Sequence, residues 1–322
     1  MRPPTLWRRL WTQLVVPTLS GATEDERRLV DLFRREVEAL AAESHDTESD
    51  WAGHRARVRH LVLHGNPVEF QRWDVVRATM VAGDTPYVAA ELAHLRRRPD
   101  WHRRWQPAIR ESPLGRPRPF YLYPRSSGTL IHHAYHACRF EEATGVALDR
   151  ASLVVEFGGG YGSMCRLVHG LGFAGAYVIF DLPEFSALQR FYLRSLDIPA
   201  STEPAARGVT TVSNLETLAT LLRGRDCGGG VFIATWSLSE SPRALRETVL
   251  RTVEGFDAFL IAYQQRFAEV ANDEFFAAWR SRLPGGLTWQ EIPIEHLKKA
   301  SWYLFGVRPG RAASAGLRQR SD

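Results

Sequence analysis

Beyond Asp149 the chain alternates short apolar runs with amphipathic stretches, and few folds accommodate that alternation. Leu153 to Phe157, Ala176 to Phe180, Val209 to Val212, Val231 to Thr235 and Phe259 to Tyr263 are mostly branched or aromatic, as strands buried on both faces require. Between them lie helical patterns near Met164 to Leu171, Phe185 to Leu196, Leu215 to Leu222, Pro242 to Val253 and Asp273 to Leu283. Such alternation predicts a parallel sheet with helices on both faces. Two further runs, Thr288 to Ile292 and Trp302 to Val307, predict an antiparallel pair at the sheet edge. Together they predict a seven-stranded Rossmann-like α/β sheet over residues 151–310.

The 322 residues exceed one compact core at roughly 150 residues per domain, and the first third reads as a separate helical domain. Thr23 with Glu26 forms a capping-box pattern ahead of Leu29, Leu32, Phe33, Val37 and Leu40, which recur on one helical face. A second helix is expected from Trp51 to the stop at Gly65. A third opens at Asn66-Pro67 and carries Phe70, Trp73, Val76, Arg77 and Met80, and a fourth runs from Tyr87 to Arg97. Pro107, Pro113, Pro117, Pro119 and Pro124 exclude a long regular element and mark a strap. A helix from Ser127 to Thr144 follows. The expected organisation is a helical domain over 1–118, a strap and connecting helix over 119–150, the sheet domain over 151–310 and a disordered tail over 311–322.

Where the first predicted strand turns into its helix, Val154 to Gly162 reads Val-Val-Glu-Phe-Gly-Gly-Gly-Tyr-Gly. Glycines let a backbone turn tightly and approach a ligand closely. About twenty residues onward, the second strand ends in Asp181, where an acid can accept hydrogen bonds from ribose hydroxyls. Gly158, Gly160 and Gly162 follow G-x-G-x-G, and Ser163 stands where a dinucleotide-binding loop has its third glycine. Glu156 adds a negative charge that a pyrophosphate loop would not favour. An acid there can order the loop through backbone amides or face a cationic ligand. The combination is similar to the first motif of S-adenosylmethionine-dependent methyltransferases. The expected cofactor set is Glu156, Gly158, Gly159, Gly160, Gly162, Asp181 and Leu182, with Asn214 reading the adenine edge and Thr235 and Trp236 near the methionine end.

The resemblance extends beyond that loop. Asp181-Leu182-Pro183-Glu184 with Leu188, Gln189 and Tyr192, Thr235-Trp236-Ser237-Leu238-Ser239-Glu240, Phe70-Gln71-Arg72-Trp73 with Arg77, Thr79 and Met80, and Leu130 to His136 resemble a bacterial family of Rossmann-like sugar O-methyltransferases. Coverage runs from about Leu61 to Pro309. Thr129 and Ala234 depart from the pattern, standing where it has asparagines. The resemblance implies an S-adenosyl-L-methionine-dependent enzyme acting on a sugar hydroxyl.

Transfer to a hydroxyl calls for alignment and for a group that takes the departing proton. His132, His133 and His136 are candidates because imidazole titrates near neutrality, and Glu240 is a fourth because it follows the fourth strand. Packing or capping roles are the ordinary alternatives for each. No metal is expected, since Tyr263-Gln264-Gln265-Arg266 offers Glu240 no second carboxylate for magnesium. A nucleic-acid methyltransferase is disfavoured, because Thr235 to Glu240 lacks the Pro-Pro-aromatic segment that grips a flipped base. A nicotinamide-dependent oxidoreductase and a non-catalytic relative of the fold are further alternatives.

Composition narrows the setting. The formal net charge is +5, and arginine supplies nearly all the cations because Lys298 and Lys299 are the only lysines. The runs Arg96-Arg97-Arg98 and Arg103-Arg104 can hold phosphates, although a charge run is more often a solvated helix face. Cys138, Cys165 and Cys227 form no close pair, which suits a reducing cytoplasm. Arg8 and Arg9 interrupt the apolar N-terminus, so no membrane span is expected there. Trp7, Leu10, Trp11 and Leu14 form a possible packing or membrane-surface face.

Overall fold

The computed structural model describes residues 24–43, 51–223, 225, 227–283, 285–297 and 300–310. The capping Thr23, the apolar N-terminal face and the tail after Gly310 lie outside the described residues. Helix α1 (Glu24–Glu43) buries Val30, Phe33 and Val37, on the face that its apolar spacing predicts. Helix α2 (Ala52–His64) ends at Gly65, whose N–H donates to Leu61 O at 2.9 Å. Asn66 accepts from Val68 N as expected of a cap, but it opens a 3₁₀ turn over Pro67–Arg72. Trp73 then takes an extended ψ of 141° before α3 (Asp74–Thr79) begins. The single third helix expected from the sequence is therefore two segments broken at Trp73.

Helix α4 (Pro86–Arg96) precedes a π turn over Trp101–Trp105 and the short α5 (Gln106–Ala108). Within the proline-rich strap, β1 (Pro119–Phe120) and β2 (Tyr123–Ser127) form a small antiparallel hairpin. Ser127 Oγ then accepts from Leu130 N, capping α6 (Gly128–Thr144). The sheet half follows as β3 (Leu153–Phe157), α7 (Ser163–Gly170), β4 (Ala176–Phe180), α8 (Pro183–Arg194), β5 (Ala200–Ser201), β6 (Gly208–Val212) and α9 (Leu215–Arg223). It continues through β7 (Gly230–Thr235), α10 (Arg243–Thr252), β8 (Ala258–Gln264), β9 (Arg266–Phe267), β10 (Val270–Ala271), α11 (Asn272–Arg280), β11 (Thr288–Pro293) and β12 (Ser301–Val307).

Among the described residues the main sheet has eight strands in the order β11-β12-β8-β7-β3-β4-β6-β5. Strands β6, β4, β3, β7 and β8 are mutually parallel, whereas β12 runs antiparallel to both β8 and β11. The predicted edge pair is therefore present. The eighth strand, β5, has two residues, too few for a periodic signal. Strands β3, β4 and β8 are buried along their whole length, as their unbroken apolar character requires.

The chain divides into two compact units. One comprises residues up to Tyr135 with Gly160–Gly170 and Leu182–Ala200; the other comprises His136–Gly159, Leu171–Asp181 and the chain from Ser201 onward. The boundaries expected at residues 118 and 150 do not coincide with this division, because α7 and α8 belong with the N-terminal helices. In that helical unit Phe33 stacks on Phe191 with ring centroids 4.9 Å apart. Glu36 accepts from Arg190 and Arg194, each at 2.9 Å. Glu184, fully buried, accepts from Arg55 at 2.7 Å and Arg59 at 2.6 Å. Burial alone would raise its pKa, but the two guanidiniums hold it below the ordinary carboxylate value.

Candidate active site

In a doubly wound sheet, ligands bind beyond the carboxyl ends of the strands, where the strand order reverses. Here that point lies between β3 and β7. Gly158 N donates to Phe180 O at 2.8 Å, Asp181 N to Val212 O at 3.0 Å and Trp236 N to Ala262 O at 2.7 Å. These bonds join the ends of successive strands into one rim.

The loop after β3 is built for absent side chains. Gly158 has φ +72°, and a Cβ there would lie 2.3 Å from Ser237 Cβ. Ser237 Oγ in turn donates to Phe157 O, fixing the segment after β7 against the loop. A Cβ on Gly159 would lie 2.6 Å from Ile179 Cγ2 and 3.2 Å from Glu156 Oε2. Within the helical unit, Gly160 has φ +58°, and a Cβ there would lie 3.2 Å from Met80 Sδ. Gln189 Nε2 donates to Gly160 O at 2.9 Å. Gly162 has φ +94°. Met80 and Gln189 thus acquire a physical role as supports of the loop.

Glu156 is buried and accepts from Tyr177 Oη at 2.8 Å. Burial, with Asp181 nearby, pushes its pKa up to about 8 against the opposing pull of the Tyr177 hydrogen bond. The folded protein therefore retains this proton up to about pH 8, while an unfolded chain releases it near 4.5. Its stabilising contribution is complete below the lower value and is lost as pH rises through the upper one. Glu156→Gln, with no proton to lose, is expected to become more stable relative to wild type as pH rises across that window. Thermal denaturation at several pH values checks this, and a pH-independent difference would refute it.

Asp181 lies half-buried at the end of β4. Leu182 occupies the N-cap position of α8 ahead of Pro183. Asn214 Oδ1 accepts from Glu216 N at 2.8 Å and Thr217 N at 3.1 Å, so it caps α9. That capping accounts for an asparagine here without a ligand. Thr235 ends β7, and Trp236 follows with φ +62°, a conformation that costs a bulky residue about 1–3 kcal/mol. The Trp236 ring lies 5.1 Å from that of His136. His136 is fully buried, and its Nδ1 is hydrogen-bonded to Tyr303 Oη at 2.5 Å.

The other histidines belong to the helical unit. His132 Nδ1 donates to Glu91 at 2.7 Å, with Tyr87 packed 5.3 Å from its ring. Burial, reinforced by neighbouring His132, pushes the His133 pKa down to about 3, which leaves it a weak base. Glu240 accepts from Gln264 Nε2 at 3.2 Å, and the N-cap position of α10 is occupied by Pro242. Sequence reasoning missed Tyr177, Tyr303 and Glu91. Each is a polar group within an apolar strand or helix face, and burial of such a group demands a partner. An open recess of about 350 Å³ beside Leu153, Ala176 and Arg225 lies at the amino ends of β3 and β4, opposite the glycine loop.

Sheet order and the reversed β12 define the class of fold: a Rossmann-like α/β sheet, mostly parallel, with an antiparallel pair at one edge. No family model matches the chain, and no curated protein matches it. Among solved structures it is similar to an rRNA methylase from Streptococcus thermophilus, with 12% identity and a TM-score of 0.39 over 53% of this chain and 94% of that one. A precorrin-6y C5,15-methyltransferase from Geobacter metallireducens gives 13% identity and a TM-score of 0.35 over 54% of this chain and 86% of the other. The glycopeptide N-methyltransferase MtfA gives 17% identity and 0.35 over 54% and 94%, respectively. Likeness at this level assigns neither substrate nor reaction.

Proposed function

We propose that the chain is an S-adenosylmethionine-dependent O-methyltransferase, and that its acceptor is a sugar hydroxyl. The observation that carries the reading is the rim of β3, β4 and β7. A glycine loop excludes side-chain bulk there, an acid stands at the next strand end, and a strained Trp236 contacts a buried histidine. Gly158, Gly159, Gly160 and Gly162 provide close backbone approach, Asp181 the acceptor for ribose hydroxyls, and Glu156 the anchor beneath the loop. Leu182, Thr235 and Trp236 complete the proposed binding set. When bound, S-adenosylmethionine supplies an electrophilic methyl group.

The protein's own work is alignment and proton removal. His136 takes the acceptor's hydroxyl proton on Nε2, while Tyr303 holds the ring through Nδ1. Trp236 packs against that ring and sets its orientation. Glu240, tied to Gln264, contributes a polar acceptor for a neighbouring hydroxyl. No metal takes part in this scheme. A second reading makes His132 the base, favoured by its carboxylate-oriented imidazole. The sugar assignment rests on the motif resemblance, including Thr235 to Glu240.

Calorimetry with S-adenosylmethionine tests the cofactor, and transfer of labelled methyl to a panel of nucleotide sugars and glycans tests the acceptor. Wild type should bind stoichiometrically. Gly158→Ala, strained in φ and pressed on Ser237, should bind at least about tenfold more weakly. No heat of binding to folded wild type would sink the assignment.

A further inference from the structure

The proposed reaction leaves the arginine runs and the strap hairpin without a role, and within the helical unit they occur together. Phe120 pairs with Tyr123 across a two-residue turn, which puts Tyr121 and Leu122 at the tip with 49% and 48% of their surfaces exposed. Such turns ordinarily take asparagine, aspartate or glycine, whose backbone preferences suit them. The Tyr121 ring packs on Phe120 with centroids 4.9 Å apart, yet about half of each tip side chain stays in water, where apolar surface gains nothing. A turn rule broken for two half-exposed apolar side chains marks a candidate functional surface.

The base of the hairpin is fixed to basic helix ends. The Arg96 guanidinium lies 5.4 Å from the Tyr123 ring centroid, and the Trp101 ring packs against that ring at 6.1 Å. Asp100 engages Arg98 and Arg104, each at 3.7 Å, and Asp84 engages Arg118 at 2.7 Å. Arg96, Arg97, Arg103 and Arg125 are exposed, and none forms an ion pair with a carboxylate among the described residues. The hairpin therefore carries an apolar tip, with the exposed guanidiniums of Arg96 and Arg125 at its base and Arg97 next to Arg96 in the chain.

We propose that this face docks peripherally on an anionic lipid bilayer. Tyr121 and Leu122 enter the boundary between headgroups and acyl chains, and the guanidiniums engage lipid phosphates. One short apolar element is marginal alone and needs a basic patch beside it, which is the combination present. Only one of the two tip residues, Tyr121, offers a face for base stacking, the device by which single-stranded nucleic acids are held without sequence preference; the exposed Leu122 gains only from an apolar medium. No described helix is long and apolar enough to cross a membrane, so attachment would be superficial.

The test is sedimentation of the full chain with phosphatidylcholine vesicles, with and without about one-third phosphatidylglycerol. Binding should require the anionic lipid and weaken as salt is raised. Tyr121→Ser with Leu122→Ser should weaken binding at least about tenfold, and Arg96→Glu with Arg97→Glu should do the same. Both sets lie on the surface, and an unchanged melting temperature confirms that the fold is intact. Equal retention on neutral vesicles, no binding to either vesicle, or full binding by the hairpin variant would overturn the proposal. So would single-stranded RNA that binds through these residues and strips the protein from anionic vesicles.

Discussion

Replacing His136 with glutamine should lower methyl-transfer turnover about 10²–10⁴-fold, the usual contribution of a positioned general base. The amide preserves much of the ring's bulk but cannot take up the proton. Because His136 is fully buried between Trp236 and Tyr303, its removal could also disturb packing, and two controls separate these effects. S-adenosylmethionine affinity should change little, and Tyr303→Phe should retain the fold while altering the pH dependence of turnover. Under the His132 reading the pattern inverts: His132→Gln and Glu91→Gln lose activity while His136→Gln keeps it. Near-normal turnover in both histidine variants, with folding verified, would remove base catalysis by this helix altogether.

The largest stability effect should come from Arg246. Its side chain is buried, and it donates to Asn272 Oδ1 at 2.6 Å, Ser239 O at 2.5 Å and Ser241 O at 2.6 Å. Asn272 Nδ2 then donates to Gln264 O at 2.8 Å, so one guanidinium links the segment after β7 to the start of α11 and the end of β8. Burial, together with neighbouring Arg243, lowers its pKa to about 10, leaving it charged at neutral pH. Arg246→Ala strands two buried acceptors and one part-buried one and should cost about 3–5 kcal/mol. Arg246→Lys should recover only part of this, since an ammonium cannot match a fork that serves divergent acceptors. Urea denaturation measures both, and a loss below about 1 kcal/mol for alanine would mean the network is replaceable.

Much of the sheet was legible in the residues themselves. Strands buried on both faces leave unbroken runs such as Leu153 to Phe157, and helices that cover them leave a periodic stripe. The glycine loop was legible for a local reason, because positive φ at residues 158, 160 and 162 favours glycine. The break at Trp73 was not, because an apolar spacing that continues across a kink looks the same as one that continues through a helix.

Residue type and spacing alone determined the order of strands and helices, the loop after β3 and the acid at the end of β4, since each follows from backbone sterics or periodic burial. Tertiary structure alone decided that Glu156 is capped by Tyr177. It also decided that His136 meets Tyr303 while His132 meets Glu91. Those pairings join residues remote in the chain, and neighbours of that kind determine whether a buried polar group is a base, a cap or an anchor.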